Sequence, residues 1–599
     1  TLSIWRVRFC LGVSARAGVL TGEAAVTIGA TNQGMVAGDA VNTASRLQSI
    51  APPGTVLVAE ATRRATERSI AYEEAGEQLL KGKVAPVQAY RALRVIAEVG
   101  GRGRQADTLE APFVGRDEEL RLVKDLFHAT ARERRTRLVS VTGIAGIGKS
   151  RLAWEFEKYI DGLVDTVWWH RGRSPAYGEG ITFWAIGEMV RGRCGLVETD
   201  DEATTRAKVA ASVREIVTDD VERRWVEPAL LSLLGVGDGA IAADQLFAAW
   251  RTFFERLTAT GPVVLVFEDI HWADPGTLDF VDHLLEWSRA APLYIVTLAR
   301  PELLERRPDW GAGRRSFTSI YLEPLREPAM RALLAGLVPG LPEPAVAAVV
   351  ARADGVPLYA VETVRMLLAE GRLEPRGDGS YVPRGDLTEL AVPETLTAVI
   401  AARLDGLDPV DRGLVLDAAV LGQSFTIAGL AAVSGMDETE LESRLRALVR
   451  RELLGHETDP LSPERGQYAF VQALIREVAY NTLAKRDRKV RHLAAARFFE
   501  QLGNDELAAA LAGHYLAARE NAGEGPEADA LAAQARIALS AAAERATGLA
   551  AHEQALGLLR QALTVATDPA DEAALLERAG TAATTLLRYD DAHALRGGR

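Results

Sequence analysis

Two α/β domains followed by a long α-helical region are the architecture that the sequence predicts. The chain has 599 residues, which is too many for a single hydrophobic core. A glycine-rich loop at residues 143–150 follows a short apolar strand pattern and precedes a helical pattern, as in the βαβ units of parallel sheets. Beyond residue 322 the sequence is rich in alanine and almost entirely helical in pattern. We therefore expect a multidomain protein.

Composition and charge exclude several classes of protein. Apolar residues make up 48% of the chain and charged residues 25%, as in ordinary globular proteins. No apolar run reaches the ~18–20 residues of a membrane helix, and the first residues do not resemble a secretion signal. Cys10 and Cys194 are too few for a disulfide framework. We expect a cytoplasmic protein without a membrane partner, and the net charge of −13 argues against wholesale nucleic-acid binding.

The order of short patterns suggests where the domains lie. Residues 1–97 alternate apolar runs with one helical stretch at 41–50, an α/β pattern, and residues 98–112 form a linker. The next region has helices at 117–132 and 150–160 and strands at 138–142, 164–170, 263–267 and 293–298. At 501–599 a weak internal similarity predicts tetratricopeptide-like helical repeats or, equally well, a plain helical bundle. The sequence starts at Thr1 and stops within a helical pattern, so we expect a piece of a longer protein.

Residues 143–150, GIAGIGKS, fit the phosphate-loop pattern G-x-x-x-x-G-K-[ST]. Glycines let backbone amides point at a phosphate, and the following helix N-terminus adds partial positive charge. The alternative is an ordinary glycine turn. Such a turn requires no lysine, and a lysine is less expected by chance in a chain whose basic residues are mostly arginine. The expected cofactors are ATP and Mg²⁺, with Lys149 at the β- and γ-phosphates and Ser150 on the metal. The candidate binding residues are Gly143, Gly146, Gly148, Lys149 and Ser150.

Two acids and an arginine follow the later apolar strands. Glu268 and Asp269 end the strand at 263–267, where such a pair can hold Mg²⁺, through Asp269, and polarise the attacking water. The alternative is a core strand that ends in exposed acids. The next strand ends at Arg300, on the sheet edge where ligands of parallel sheets bind. Arg300 either senses the γ-phosphate or is an ordinary surface residue.

Three motifs in order give this region a resemblance to the signal-transduction ATPases with numerous domains, a branch near the AAA+ class. They are FVGRDE at 113–118, the phosphate loop, and EDIHWAD at 268–274, and the resemblance extends to about residue 480. It implies an NTPase core at 113–320, with Gly115 and Arg116 near the nucleotide and Arg300 as the sensor. It also implies a helical lid at 321–391, with Pro357 against the adenine, and a winged-helix-like domain at 392–500. Gln472 stands where the family usually has a histidine.

Residues 11–93 resemble the second half of a class III adenylate or guanylate cyclase catalytic domain. The motifs are RAGVLTGE at 16–23 and GDAVNTASRL at 38–47, followed by PGTV at 53–56 and LKG at 80–82. The resemblance implies that Asn42 orients the ribose and that Arg46 neutralises the transferring phosphoryl group. Their i, i+4 spacing places both on one helical face. The alternative is an amphipathic helix with two polar residues turned outward.

Two departures from the cyclase pattern affect what this domain does. The paired metal-binding aspartates and the purine-selecting lysine of the family lie upstream of Thr1, and Met35 stands where a purine-selecting aspartate is common. We therefore expect no cyclic nucleotide from this chain alone, whereas a full-length parent would supply the other half. Because such sites form between two domains, the resemblance also implies a homodimer.

Three functions remain open on the sequence. The leading hypothesis is an ATP-hydrolysing switch in intracellular signalling, whose helical C-terminal region binds a protein partner. The second is a nucleotide cyclase whose NTPase module is regulatory. The third is an ATP-dependent transcription regulator, because winged-helix folds often read DNA. The basic run at residues 485–491 of the winged-helix-like region is more typical of a solvated face than of a DNA contact.

Overall fold

The computed structural model describes most of the chain, in two units. One unit is Thr1–Val99 with Trp154–Thr166, and the other is Gly100–Ala153 with Val167–Arg599. The described residues are 16–20, 25–26, 36–37, 39–52, 55–60, 62–63, 70–78, 86–95, 111–161, 163, 166–175, 181–197, 200–237, 241–375, 381–384, 393–457, 464, 466–503 and 505–597. The expected linker at 98–112 lies almost entirely outside them, as do Cys10 and Met35.

The first unit contains a mixed sheet with a helix packed on it. Its elements are β1 (Ala17–Val19), β2 (Ala25–Val26), β3 (Val36–Ala37), α1 (Asp39–Ile50), β4 (Val56–Ala59), β5 (Ile70–Gln78) and β6 (Val87–Val95). The sheet has the order β1-β4-β6-β5, with β1 parallel to β4 and the other pairs antiparallel. A Cβ on Gly18 would lie 2.3 Å from the carbonyl oxygen of Ala44, so this glycine lets α1 lie directly on β1. The sequence patterns missed β5.

A five-stranded parallel sheet forms the centre of the second unit. Its order is β11-β7-β10-β9-β8, and every neighbouring pair is parallel. The elements in chain order are α2 (Asp117–Glu133), β7 (Arg137–Thr142), α3 (Lys149–Asp161), β8 (Trp168–Arg173), α4 (Trp184–Cys194), α5 (Glu202–Ile216), α6 (Asp220–Leu233), α7 (Ala243–Leu257), β9 (Val263–Glu268), α8 (Pro275–Trp287), β10 (Leu293–Ala299), α9 (Glu302–Arg306) and β11 (Phe317–Tyr321). Of α3, only the residues before Trp154 belong to this unit. Every residue of β9 and β10 is buried, which explains their continuous apolar sequences.

Helices dominate the rest of the second unit, with two small antiparallel sheets among them. One sheet pairs β12 with β13, and the other has the order β14-β16-β15. The elements are α10 (Glu327–Leu337), α11 (Glu343–Ala353), α12 (Pro357–Ala369), β12 (Leu373–Pro375), β13 (Tyr381–Pro383), α13 (Leu396–Asp405), α14 (Pro409–Leu421), β14 (Ser424–Phe425), α15 (Ile427–Ser434), α16 (Glu438–Arg450), β15 (Leu454–His456), β16 (Tyr468–Phe470), α17 (Ala473–Thr482), α18 (Lys485–Leu502), α19 (Ala508–Glu520), α20 (Pro526–Gly548), α21 (His552–Val565), α22 (Pro569–Thr585) and α23 (Tyr589–Gly597).

The last helices pack back onto the α/β domain. From α18 to α23 each helix packs against the next, and apolar residues of α19–α23 share one core with α4–α8. Polar contacts cross the same boundary, because Arg191 of α4 forms an ion pair with Glu506 and Arg545 of α20 donates to the carbonyl oxygen of Leu233 at 3.1 Å. The 501–599 region is therefore docked on the helices inserted between β8 and β9.

One sequence prediction about an element was inaccurate. The strand expected at 164–170 is β8 at Trp168–Arg173, because the polar arginines at its end still pair with β9. Beyond residue 322 the chain is mostly helical, as expected, with the five short strands β12–β16 among the helices. Within the described ranges, no helix combines the length and the apolar character that a bilayer crossing requires.

Candidate functional site

The loop between β7 and α3 has the backbone of a phosphate cradle. Gly146 and Gly148 have φ angles of +77° and +109°, which favour glycine. A Cβ on Gly146 would lie 2.9 Å from the Cβ of Leu358, and one on Gly143 would lie 2.9 Å from the Cγ2 of Ile147. The loop therefore tolerates no side chain at Gly143 or Gly146, and at Gly148 the backbone alone selects glycine.

Lys149 is buried inside this loop. Its Nζ donates to the carbonyl oxygens of Gly143 at 2.7 Å and Ile144 at 2.9 Å. Burial, and to a smaller extent the charge of Arg300, lowers the pKa of Lys149 to about 8, although Asp269 opposes the shift. The lysine charge is thus close to Asp269 and held against neutral carbonyl groups, which an anionic phosphate oxygen can replace.

The sheet order places three predicted residues side by side. Strand β10 lies between β7 and β9, so Arg300, directly after β10, follows the strand between the phosphate loop and Glu268 and Asp269. Ser150 is exposed in the first turn of α3. The structure therefore brings together at one sheet edge the residues that the sequence assigned to phosphate, metal and sensor.

Glu268 is held by two arginines that the sequence interpretation did not identify. Its Oε2 accepts from Arg171 Nη2 at 2.8 Å and from Arg173 Nη2 at 3.4 Å, and its side chain is buried. Both arginines belong to β8, and the only signal for them was an arginine at alternate positions of that strand. The pair fixes the carboxylate of Glu268 in one place.

Asp269 has a different environment. Its φ of +52° turns the chain sharply into the short 3₁₀ turn Ile270–Trp272. Burial, with the nearby charge of Glu268, raises the pKa of Asp269, while Arg173, Lys149 and Arg300 oppose the shift. A carboxylate and the Ser150 hydroxyl are hard oxygen donors. This donor set fits Mg²⁺, which takes few protein ligands and completes its shell with water and phosphate.

Arg300 contacts two other parts of the second unit. Its Nη2 donates to Glu477 Oε1 of α17 at 2.6 Å. Its backbone N–H donates to His271 Nδ1 at 3.4 Å. Glu477 lies within the helix motif of residues 470–480, but nothing in the sequence pointed to this partner. A residue of the 392–500 region thus binds the candidate sensor arginine directly.

The predicted nucleotide-binding residues outside the loop lie where the 321–391 region meets it. Gly115 has a φ of +67°, and a Cβ there would lie 2.7 Å from that of Ala329. Arg116 is buried, donates to Glu119 at 3.0 Å and binds the carbonyl oxygen of Glu323. Helix α12 begins at Pro357, and the next residue, Leu358, donates its N–H to the carbonyl oxygen of Gly146 at 3.3 Å.

The predicted cyclase residues lie on α1 of the first unit. Arg46 is partly buried there, and the side chain of Asn42 lies outside the described residues. Nearby, Arg16 Nη1 donates to the carbonyl oxygen of Ser49 at 3.1 Å, which ties the start of β1 to the end of α1. The helix therefore forms as expected, and its backbone places positions 42 and 46 one turn apart.

Family models match both domains. The AAA ATPase domain model matches residues 112–296, and the adenylate and guanylate cyclase catalytic domain model matches residues 6–92. The chain thus joins an AAA-type P-loop ATPase domain to a cyclase-type domain, followed by a mostly helical region, as the sequence predicted.

Individual proteins are similar to this chain at 15–30% sequence identity. A curated protein of Rhizobium meliloti (strain 1021), described as uncharacterized, is 25% identical over 502 residues, covering 80% of this chain and 46% of that protein. The chain therefore spans about half the length of the curated relative that it matches. A signal-transduction ATPase with a tetratricopeptide repeat sensor from Pyrococcus horikoshii is 15% identical with a TM-score of 0.41, over 81% of this chain and 64% of the other. The adenylyl cyclase CyaB from P. aeruginosa is 30% identical with a TM-score of 0.13, over 14% of this chain and 44% of the other.

Proposed function

We propose that the chain is a cytoplasmic signalling switch that binds and hydrolyses ATP and carries a cyclase-type domain. The observation that carries the proposal is the 2.6 Å ion pair between Arg300 and Glu477. It joins the edge of the nucleotide site to a helix of the 392–500 region. A change at the phosphates therefore has a direct route to the helical part of the chain.

The site residues divide the chemistry among them. Lys149 exchanges the carbonyl oxygens of Gly143 and Ile144 for phosphate oxygens, which are stronger acceptors because they are charged. Ser150 and Asp269 would hold Mg²⁺, which when bound would neutralise the phosphate charge. Glu268, fixed by Arg171 and Arg173, polarises the attacking water from a constant position.

The switching step follows from competition for one cation. The γ-phosphate of ATP and the carboxylate of Glu477 are both anions that Arg300 can bind, and ADP lacks the competing group. When the γ-phosphate binds Arg300, Glu477 of α17 loses its ion pair at the sheet edge. Hydrolysis restores that ion pair. The docked, tetratricopeptide-like helices of the 501–599 region would then change the surface that they present to a protein partner.

Hydrogen exchange across α17 tests this function. In the full chain we expect faster amide exchange at residues 473–482 with a non-hydrolysable ATP analogue than with ADP, because only the analogue competes with Glu477. Lys149→Ala should abolish the difference. Equal exchange in the two nucleotide states of the wild-type chain would reject the switch, even if ATP binds.

A second candidate is a nucleotide cyclase in which the ATPase domain is regulatory. It is supported by the cyclase model match and by the i, i+4 placement of Asn42 and Arg46 on α1. In this proposal a longer parent protein would supply the metal-binding half and would act as a homodimer. Adding a separate upstream cyclase half to this chain should then restore cyclic nucleotide synthesis, and Arg46→Ala should remove it.

Transcription regulation has weaker support. Basic residues of α18 have partners, because Lys489 pairs with Glu527 at 2.9 Å and Arg491 with Asp417 at 2.6 Å. Two basic side chains of this run therefore pair with acidic residues of the chain itself, which argues against a DNA contact. DNA binding that falls steeply with salt would instead favour the regulator.

A further inference from the structure

Three polar side chains form a buried series of hydrogen bonds across α17, α18 and α19. Tyr480 Oη of α17 lies 2.8 Å from His492 Nε2 of α18, and His492 Nδ1 lies 2.9 Å from His514 Nδ1 of α19. Both imidazoles are buried, and the ring of Phe499 stacks on His514 with 5.2 Å between the ring centroids. The series therefore joins α17 to α19 through the helix between them.

The surroundings keep both imidazoles neutral near pH 7. Burial, together with the positive charges of Arg476 and Arg488, lowers the pKa of His492 to about 4. Burial, together with His492 and Arg476, lowers the pKa of His514 well below its usual value. Each ring therefore has one donor nitrogen and one acceptor nitrogen.

The neutral rings make the two hydrogen bonds of His492 depend on each other. One Nδ1 of the facing pair must donate and the other must accept. If His492 Nδ1 donates, its Nε2 is an acceptor and Tyr480 donates the hydroxyl hydrogen. If His514 Nδ1 donates, His492 Nε2 carries the hydrogen and Tyr480 accepts it. In either order, the loss of one bond leaves a buried polar atom of His492 without its partner, which is costly.

Helix α17 carries both this series and the contact at the sheet edge. Glu477, which pairs with Arg300, lies three residues before Tyr480, less than one helical turn away. A displacement of α17 at Glu477 therefore moves the Tyr480 hydroxyl as well. Because a hydrogen bond weakens steeply when it is misaligned, His492 must follow this movement or lose its bond.

We propose that Tyr480, His492 and His514 form a relay that couples the position of α17 to that of α19. The inference rests on the proposed function and adds the route from the Arg300–Glu477 ion pair to the helical C-terminal region. Tyr480 is a positioning residue, because it acts on α19 through the two imidazoles. When Glu477 leaves Arg300, the relay would change the packing of α19.

Two tyrosine variants remove one hydroxyl each. Tyr480→Phe keeps the ring but removes the first group of the relay. Tyr515→Phe is the matched control on α19, since this hydroxyl donates to Glu500 Oε2 at 3.2 Å and lies outside the relay. Amide exchange over residues 473–482 and 508–520 would be measured in the full chain, with ADP and with a non-hydrolysable ATP analogue. Melting temperatures would be recorded alongside.

Two variants of His514 test the other end of the relay. His514→Asn places an amide near the position of Nδ1, and an amide can donate or accept. His514→Phe keeps a ring but has no hydrogen-bonding group. The asparagine variant should therefore keep the coupling and the phenylalanine variant should lose it.

The expected result is a loss of coupling that leaves the first helix unaffected. In the wild-type chain the analogue should change exchange in both α17 and α19 relative to ADP. In Tyr480→Phe the change should persist in α17 and disappear from α19, whereas Tyr515→Phe should behave as the wild type.

Three results would reject the relay while the proposed function stands. They are a wild-type change confined to α17, a change in α19 that persists in Tyr480→Phe, and an equal loss in Tyr515→Phe, which would indicate general loosening of α19. If the wild-type chain shows no difference in α17, the proposed function fails and the relay falls with it.

Discussion

Arg300 and Glu477 are 177 residues apart in the sequence, and their side chains form an ion pair with an Nη2–Oε1 distance of 2.6 Å. The arginine follows β10 beside the phosphate loop, and the glutamate lies on α17. Both side chains are partly buried, at 17% and 31% exposure, so solvent screens the pair less than a surface pair. The pair therefore links the edge of the candidate nucleotide site to the helical region through one residue on each side.

Glu477→Gln should increase the affinity for a non-hydrolysable ATP analogue, because the analogue no longer competes with a carboxylate for Arg300. We expect a gain of about fivefold, which corresponds to about 1 kcal/mol for a partly exposed ion pair. Nucleotide titration of the full chain measures it. Glu440→Gln, which removes an ion pair with Arg444 in the same region, is the control and should have no effect. Unchanged affinity in Glu477→Gln would show that the pair does not restrain Arg300.

Gly148→Ala should reduce ATP binding through the backbone alone. Gly148 has a φ of +109° but no atom within 4 Å of an added Cβ, so the substitution introduces strain without a clash. A loop that relaxed this strain would no longer point its backbone N–H groups at the phosphate. Gly413→Ala is the matched control, since Gly413 lies inside α14 with equally open space and should gain up to about 1 kcal/mol of stability. Normal ATP affinity in Gly148→Ala would contradict the cradle.

Asp269→Asn and Glu268→Gln should have different consequences. Both should bind ATP and slow its hydrolysis, because each loses a charge at the metal or the water. Only Glu268→Gln should also lower the melting temperature, since it leaves Arg171 and Arg173 without their carboxylate. Melting curves and single-turnover rates measure the two effects. A loss of nucleotide affinity in either variant would reject the assigned roles.

Stability should fall in mild acid because two histidines are buried together. His492 Nδ1 lies 2.9 Å from His514 Nδ1, and Tyr480 Oη lies 2.8 Å from His492 Nε2. Burial lowers the pKa of His492 to about 4, and it lowers the pKa of His514 well below its usual value. Between pH 6.5 and about 4 the unfolded chain therefore binds protons that the folded chain does not, so unfolding becomes easier as pH falls.

The expected slope is about 1.4 kcal/mol per pH unit for each histidine. Denaturant titrations at pH 6.5, 5.5 and 4.5 measure it. His514→Phe, which keeps a ring against Phe499, should reduce the slope, while His593→Gln on α23 should not. A stability that is independent of pH in this range would mean that the pair is not neutral in the folded chain.

The sequence predicted the parts of the site that local chemistry defines. The loop at 143–150 has a fixed spacing because a phosphate has a fixed size, and the strand before Glu268 is apolar because both faces of the sheet are covered. Family patterns also located both domains. The two family models, at residues 112–296 and 6–92, match the two families that the motifs indicated.

The partners of the predicted residues could not be read from the sequence. Arg171 and Arg173 bind Glu268 only because β8 pairs with β9, and strand order is a tertiary property. Glu477 and His271 meet Arg300 from two elements that are distant in the chain. The strands β12–β16 are two or three residues long, too short for a period-2 pattern to distinguish them from loops.

The most direct test of the account is a product assay on the full chain. It would be incubated with Mg²⁺ and labelled ATP, and ADP, cyclic AMP and unreacted ATP would be separated. We predict that ADP forms with the wild-type chain and with Lys158→Ala but not with Lys149→Ala. Lys158 is the control because it lies on the same helix and pairs with Glu155. ADP formation that is unchanged in Lys149→Ala, or cyclic AMP as the product, would contradict the account.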